Sequence, residues 1–226
     1  DRLAADRVDF FIANSKTVQE RIKKYYKRDS VVIYPPVEID RFFISKDLED
    51  FFLIGCRLAP YKRVDLVVET FKKLGGDYKL KVFGDGVDLK RLKKIAKGCL
   101  NIEFLGRVND EYKAELMSKC LAFLNPQEED FGISKVEAMA SGRPVIAYKK
   151  GGALETVVEG KTGMFFTEQT IESLSEVVQK FYTDIKSGKK EWNSYEIREH
   201  AKKFSLDNFK ENIKNFIDQV YNKDKI

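Results

Sequence analysis

The chain has 226 residues, 43% of them hydrophobic and 34% charged, so it can form one large domain or one domain with an appendage. Its net charge of +5 is carried by lysines spread mostly in pairs, which is not the composition of a nucleic-acid-binding protein. Three cysteines without a CxxC pair and a single histidine argue against disulfides, a zinc site and any multi-histidine metal site.

Signals for export or membrane insertion are not recognisable. No apolar run approaches the roughly 20 residues of a membrane span, and no signal peptide is visible. Together with the cysteine usage, this favours a cytoplasmic location. The chain starts with Asp1 rather than Met, so we expect a fragment of a longer protein.

The first 49 residues are predicted to form a strand, a helix and a strand, followed by a linker. Residues 8–13 (VDFFIA) are typical of a buried strand, and residues 15–28 of a helix capped by Ser15. The segment SVVIYPP (30–36) predicts a second strand, which its two prolines end. Residues 37–49 are mixed and charged. This unit does not obviously belong to the sheet that follows.

From residue 51 short apolar strands alternate with helical segments. This alternation predicts βαβ units and a parallel sheet buried on both faces. The fold class is therefore α/β, with a doubly wound, Rossmann-like parallel sheet over about residues 50–167. The predicted strands are 51–56, 78–83, 101–104, 120–126, 143–148 and 163–166, and the predicted helices are 61–74, 87–97, 110–119 and 133–141.

The C-terminal part carries amphipathic helices. Apolar residues recur at helical spacing over 170–186 and again over 206–221. We accordingly divide the chain into residues 1–49, a domain over 50–190 and C-terminal helices over 191–226.

Several unusual segments follow the predicted strands directly. Because the carboxyl ends of parallel strands share one edge, these segments should converge there, where open α/β sheets bind ligands. Arg57 and Lys62 follow the first strand and could together neutralise a diphosphate, or could be exposed charges. Gly84, in the GDG after the second strand, suits either a plain turn or a ligand contact.

The segment DFGIS enters a predicted helix. A first helical turn has unpaired N–H groups and a partial positive charge, so it is a natural phosphate site. Gly132 would let a ligand approach the backbone, and Ser134 is a possible N-cap. Glu137, about one turn further, could favour the positive helix end or bind ribose hydroxyls. Glu129 could contact a sugar; paired carboxylates also serve glycosidases, which do not need the phosphate site beside them.

Taken together, these segments resemble family 4 of the retaining glycosyltransferases, which have the GT-B fold. The family motif E-x-F-G-[IL]-x-x-x-E-A-M-A-x-G-x-P-V-I is matched from Glu129 to Ile146. The segments RLAPYKRVDL, GDG, FLGRVND and GKTGMFF keep the family's order, so the match covers roughly residues 50–167. YKRVDL with EEDFGI is most similar to the bacterial subgroup with GDP-mannose-dependent mannosyltransferases.

The resemblance implies a role for each site residue. Arg57 and Lys62 would hold the donor diphosphate, and Glu137 the ribose. Glu129 would contact the donor sugar near the reacting carbon, as the catalytic residue. The remaining donor-binding residues would be Gly84, the base-pocket residues Gly106, Arg107 and Val108, and the backbone at Gly132, Ile133 and Ser134.

No cofactor or metal is expected. The resemblance implies a nucleotide diphosphate sugar as the donor, GDP-mannose rather than a UDP-sugar. The hexose, mannose in that subgroup, would pass to a glycan or lipid-linked acceptor with retention. No nucleic acid partner is expected. Peripheral membrane contact could involve one basic helix face, although such faces are more often only solvated; its residues are Lys90, Arg91, Lys93, Lys94 and Lys97.

Two features depart from the family pattern. Lys135 stands where the subgroup often has proline, and it could add charge near the phosphates or simply be exposed. The acceptor half, which comes first in the family, would be represented only by its tail with the linker, residues 1–49, so the chain alone should bind nucleotide but turn over poorly. The lone His200 is interpreted as a surface or packing residue.

Three other functions are alternatives to this one. A non-catalytic nucleotide-sugar or phosphate-binding module would share the fold and ligand. A sugar-nucleotide epimerase would need further acids and a histidine near the site. A basic nucleic-acid binder would show steeply salt-dependent affinity.

Overall fold

The computed structural model describes residues 2–223. A small N-terminal unit comes first, and a six-stranded parallel α/β domain follows it. The elements of the N-terminal unit are α1 (Arg2–Ala5), β1 (Ile12–Ala13), α2 (Lys16–Tyr26) and β2 (Val31–Val32). The strands β1 and β2 pair with each other in parallel and belong to a separate sheet, as the sequence indicated.

The prediction of a buried strand over residues 8–13 was wrong in length and burial. Only Ile12–Ala13 form a strand, while Val8, Phe10 and Ile12 are exposed. The two residues of the strand differ in burial, since Ile12 is exposed and Ala13 is buried. Ser15 does cap α2, since its side chain accepts a hydrogen bond from the Val18 N–H.

The large sheet confirms the doubly wound α/β prediction. Its strand order is β5-β4-β3-β6-β7-β8, and all neighbouring pairs are parallel. The chain moves from β3 to β5 in one direction, then returns to place β6 on the other side of β3. The strands are β3 (Phe52–Gly55), β4 (Leu80–Phe83), β5 (Ile102–Gly106), β6 (Ala122–Asn125), β7 (Val145–Tyr148) and β8 (Gly163–Phe166).

Helices cover both faces of this sheet because strand residues alternate between two cores. Phe52 and Ile54 point into one apolar cluster, and Leu53 into the other. The first cluster is completed by α3, α4 and α8, and the second by α5, α6 and α9. The helices of the domain are α3 (Val64–Leu74), α4 (Leu89–Ile95), α5 (Asp110–Lys119), α6 (Ile133–Ala140), α7 (Ala153–Thr156), α8 (Ile171–Lys186), α9 (Ser194–Ala201) and α10 (Leu206–Lys223).

The C-terminal helices pack onto the domain. Helix α8 lies against α3, and α9 lies against α6. The linker contacts the segment between α9 and α10, because the Val37 N–H donates to the Phe204 carbonyl at 2.8 Å. The sequence predicted α8 and α10 but neither α7 nor α9. The boundaries at 49/50 and 190/191 stay predictions.

Two loops flank the point where the strand order reverses. One is residues 56–63, between β3 and α3, and the other is residues 126–132, between β6 and α6. In an open α/β sheet this reversal opens a crevice at the carboxyl ends of the strands. We call this edge of the sheet the rim.

Candidate functional site at the carboxyl edge of the sheet

The β6–α6 loop is anchored by Phe131. This side chain is buried, and its ring lies 5.7 Å from the Tyr34 ring and 5.4 Å from the Phe204 ring, measured between centroids. The loop backbone is held from the other side, because the Gly152 N–H donates to the Glu129 carbonyl at 2.8 Å. The start of α6 is therefore fixed before any ligand arrives.

Helix α6 begins at Ile133 with an uncapped first turn. Gly132 occupies the cap position with a φ of 82°, and no side chain caps the helix. The prediction that Ser134 is the N-cap was wrong, because Ser134 is already the second residue of the helix. Within residues 2–223 no acceptor pairs with the backbone N–H groups of Ile133 and Ser134. We call Gly132–Ser134 the phosphate seat, since such N–H groups suit an anion.

Lys62 and Glu129 meet beside the phosphate seat. The Lys62 ammonium forms an ion pair with Glu129 Oε1, and both side chains are only 17% exposed. Burial opposes the charge of Lys62, but the hydrogen bond to Glu129 and the negative charge of that carboxylate together raise the pKa of Lys62 above its ordinary value. The rim thus carries a protonated lysine and a carboxylate in direct contact.

Glu137 faces a different lysine. Its Oε1 accepts from Lys113 Nζ of α5 at 2.9 Å, and its side chain is 14% exposed. The second carboxylate oxygen has no recorded partner among the described residues. Glu137 can therefore accept a further hydrogen bond while Lys113 holds its orientation.

Arg57 lies in the same loop as Lys62 but is exposed. Its side chain makes no ion pair or hydrogen bond with any described residue. A free guanidinium at the rim is available to an incoming anion, which keeps the predicted role open.

The segment predicted to line a base pocket lies at the ends of β4 and β5. The Gly84 N–H donates to the Gly106 carbonyl at 2.7 Å, and Arg107 Nε lies 3.2 Å from Asp85. Arg107 is 84% exposed, while Val108 is partly buried. Gly84 has a φ of 115°, and a Cβ there would lie 1.9 Å from the Cys56 carbonyl oxygen. Close backbone packing therefore already explains this glycine.

Two further groups lie near the site, and only the first of them was singled out in the sequence. Lys135 is completely buried, so the alternative that it is simply exposed was wrong. Glu155 of α7 accepts hydrogen bonds from the Lys16 and Thr17 N–H groups at 2.8 and 3.1 Å and from the Tyr34 hydroxyl at 3.1 Å. Burial and the Glu155 charge raise the pKa of Tyr34 to about 12.

The N-terminal unit contacts the β6–α6 loop as well as α7. Arg21 of α2 forms an ion pair with Asp130, the residue after Glu129. With the Glu155 contacts, this places the start of α2 at the rim. The only sequence signal for Glu155 was its position in a segment that follows a strand.

His200 packs against the last residue of α7 and against Phe204. Its Nε2 lies 2.8 Å from the Thr156 carbonyl oxygen, and its ring meets that of Phe204 edge to face. Burial lowers the pKa of His200 below its ordinary value. This confirms the interpretation as a packing residue.

Two cavities of the molecule do not involve the predicted site. A cavity of about 710 Å³ lies between residues 37–41 and 202–208, and another of about 440 Å³ adjoins Arg143 and Trp192. Neither is lined by a predicted site residue. Over residues 2–223 no cluster of three His, Cys, Asp or Glu side chains could hold a metal ion, and no helix is long and apolar enough to cross a bilayer.

Comparison with known sequences identifies a family profile. The profile described as "Glycosyl transferases group 1" matches residues 36–196. An uncharacterized glycosyltransferase of Methanocaldococcus jannaschii is 29% identical over 180 residues, covering 78% of this chain and 50% of the relative. The alpha-1,3/1,6-mannosyltransferase ALG2 of Dictyostelium discoideum is 28% identical over 250 residues, covering 91% of this chain and 59% of the relative.

Solved structures share the fold. Sucrose-phosphate synthase from Thermosynechococcus elongatus superposes with a TM-score of 0.84 at 20% identity, over 98% of this chain and 61% of the other. The Anabaena HepE protein in complex with UDP and glucose gives 0.81 at 23% identity, over 96% of this chain and 64% of the other. The chain thus spans roughly half to two thirds of the length of these proteins.

Proposed function

Because this chain belongs to the glycosyl transferases group 1 family, we propose that it is the donor-binding part of a retaining glycosyltransferase that transfers a hexose from a nucleotide diphosphate sugar. The observation that carries this proposal is the Lys62–Glu129 ion pair beside the uncapped first turn of α6. A cation, a carboxylate and free N–H groups there match the diphosphate and sugar of one donor molecule.

The proposed role of each group follows from the N–H, charge or carboxylate oxygen that it can still offer to a ligand. The N–H groups of the phosphate seat and the cations of Arg57 and Lys62 would neutralise the diphosphate as it becomes the leaving group. Glu129 would then face the donor sugar. The second oxygen of Glu137 would accept from the ribose, while Lys113 holds the first.

The base is proposed to lie against the β4–α4 and β5–α5 loops. Gly106, Arg107 and Val108 would line its pocket, with Gly84 as a close backbone neighbour. The complex of HepE with UDP and glucose supports nucleotide-sugar binding by this fold, although those ligands belong to that protein. The ALG2 relative supports mannose as the sugar. The resemblance of YKRVDL and EEDFGI to the mannosyltransferase subgroup supports both mannose and GDP as its carrier.

The acceptor is proposed to be a glycan or a lipid-linked glycan. It would bind mainly to the part of the longer relatives that this chain does not match, so the chain alone should turn over poorly. We further propose a cytoplasmic location, with any membrane contact made from that side. The basic face of α4 is a weak candidate for such contact, since Arg91 there is held by Asp88 and Asp65.

Calorimetric titration with GDP, UDP, ADP and their sugars tests the proposal. We expect GDP and GDP-mannose to bind most tightly, and Lys62→Ala or Arg57→Ala to weaken binding about 10- to 100-fold, as loss of a charge-assisted hydrogen bond of roughly 1.5–3 kcal/mol implies. Glu129→Ala should weaken the sugar nucleotide more than GDP.

The matched control is Lys97→Ala. Lys97 is exposed, and its side chain forms no hydrogen bond or ion pair with any described residue, so its loss should leave affinity unchanged. Equally weak binding of all three nucleotides would remove the GDP proposal. Tight binding that survives the Lys62 and Arg57 substitutions would contradict the proposed site.

A further inference from the structure

Lys135 is a buried cation without a carboxylate partner among the described residues. Its side chain is 0% exposed, and its ammonium donates to the Phe131 carbonyl. The same nitrogen lies 5.9 Å from the centroid of the Phe131 ring. Buried lysines are normally paired, because an unpaired ammonium loses its hydration without compensation.

The position of Lys135 in α6 adds to this cost. It is the third residue of the helix, where the helix dipole is positive and a cation is unfavourable. Burial is the largest cause that lowers the pKa of Lys135 to about 8; the charge of Lys62 adds to this fall, and the charges of Glu129 and Glu155 oppose it. An anion at the phosphate seat would oppose both effects.

The missing side chain of Gly132 leaves the space in which Lys135 and Glu129 approach each other. A Cβ on Gly132 would lie 2.2 Å from Lys135 Nζ and 2.5 Å from Glu129 Oε2. Glu129 Oε1, the other oxygen, is the one bound to Lys62. Glu129 therefore has one oxygen directed to each of two lysines.

Other charged groups near Lys135 come from three neighbouring elements. The β3–α3 loop supplies Lys62, the β6–α6 loop supplies Glu129 and Asp130, and α7 supplies Glu155. Asp130 is already paired with Arg21, and Glu155 is bound to the start of α2 and to Tyr34. Of these carboxylates, only Glu129 has an oxygen facing Lys135 across Gly132.

We infer that Lys135 is a positioning residue that takes over Glu129 from Lys62 when a nucleotide diphosphate binds. The Lys62 ammonium then pairs with the diphosphate, while Lys135 pairs with the Glu129 carboxylate and keeps it in place at the sugar. No covalent bond changes in this exchange of ion-pair partners. The inference deepens the proposed function and rests on it.

This exchange requires a protonated Lys135, so donor binding should depend on pH. Diphosphate binding favours the charged form of Lys135. The affinity for the diphosphate is therefore highest below the pKa that Lys135 has in the free protein, and it falls as the pH rises through that pKa. Three neighbouring groups do not titrate between pH 7 and 9.5, because the pKa of Lys62 is raised and burial raises the pKa values of Tyr34 and Cys56 to about 12. The second phosphate pKa, near 6, lies below this range. The guanine ring begins to lose a proton at the upper end of the range, equally for wild type and variants, so the pH slopes are compared between proteins.

The experiment is titration of this chain with GDP and GDP-mannose at pH 7.0, 8.0, 9.0 and 9.5, in two buffers of different ionisation enthalpy. For the wild type we expect affinity to fall about tenfold across the range, with net proton uptake at pH 8. Lys135→Met should abolish both the fall and the uptake, and should weaken GDP-mannose more than GDP at pH 7. Lys97→Met should behave as the wild type.

Lys135→Arg covers the case in which the methionine variant does not fold. A guanidinium stays charged throughout the range, so we expect binding at pH 7 with little fall by pH 9.5. A wild-type pH slope retained in either variant would overturn the inference, because a purely structural lysine would change stability but not that slope. If Lys62→Ala weakens binding while Lys135→Met leaves affinity and slope unchanged, only this inference fails. If the wild type binds no nucleotide diphosphate at any pH, the proposed function fails as well.

Discussion

Two glycines in turns at the rim both have a positive φ, but their surroundings differ. Gly84 follows β4 and Gly132 follows β6, and both have positive φ. The space beside Gly84 is filled by the Cys56 carbonyl, whereas the space beside Gly132 is filled by the ends of Lys135 and Glu129. The first turn is closed by backbone packing and the second by charged groups that can move. Substitution should therefore damage the fold at one turn and mainly the site at the other.

Gly84→Ala should have the largest effect on stability. Its Cβ would lie 1.9 Å from a backbone oxygen, and its φ of 115° is strained for alanine. Because β3 and β4 are paired in the sheet centre, the clash cannot be relieved by a side-chain rotation. We expect a loss of about 3 kcal/mol or more in the free energy of unfolding, measured by urea denaturation.

Gly98→Ala is the matched control for this substitution. Gly98 has a φ of 82°, and a Cβ there meets nothing within 4 Å. It should cost only about 1 kcal/mol, the penalty of a left-handed conformation. Equal losses in the two variants would show that positive φ, rather than contact with the Cys56 carbonyl, sets the requirement at Gly84.

The fold was largely predictable because its strands are buried on both faces. Such strands appear as short apolar runs between amphipathic helices, and α5 was predicted with its observed bounds, Asp110–Lys119. The failures have local causes. Helix α7 has only one turn, and α9 has only two buried positions, Ile197 and Ala201, too few for a clear period. Residues 8–13 have a strand-like composition, but only Ile12–Ala13 find a pairing partner.

The site was predictable only where strand ends determine it. Lys62 and Glu129 are 67 residues apart in sequence, yet both follow strands that are neighbours in the sheet, so their convergence could be predicted. The burial of Lys135 could not, because a lysine in a first helical turn suggests solvent exposure. Nor could the contact of Glu155 with Lys16, 139 residues away, since no sheet rule relates them. The binding roles themselves stay predictions.

Gly132→Ala should lower stability less than Gly84→Ala but should nearly abolish nucleotide binding. The added methyl group would displace the ends of two flexible side chains and strain a φ of 82°, at a cost of about 2 kcal/mol. It would also separate Lys135 from Glu129 and cover the phosphate seat. Calorimetry should show at least a tenfold loss of GDP affinity in a variant that urea denaturation shows to be folded. Unchanged affinity would mean that the ligand does not approach this backbone.

Lys135→Met should produce the smallest change at neutral pH, and that change should be a gain. The charged form of Lys135 is disfavoured by burial, and a fall in its pKa from 10.5 to about 8 corresponds to roughly 3 kcal/mol at pH 7. Methionine removes this cost but leaves the Phe131 carbonyl without its donor, which costs about 1–3 kcal/mol, so a net gain of about 1 kcal/mol is expected.

The sign of this gain should reverse with pH. Between pH 8 and 10.5 the unfolded wild type binds more protons at Lys135 than the folded wild type, so wild-type stability rises with pH relative to that of the variant. Urea denaturation at pH 7, 8, 9 and 10 should therefore show the advantage of the variant shrinking and then becoming a deficit. Groups common to both proteins cancel in this difference. A difference that stays constant with pH would mean that Lys135 titrates as an ordinary lysine, and the Gly132 turn would then differ from the Gly84 turn in sterics alone.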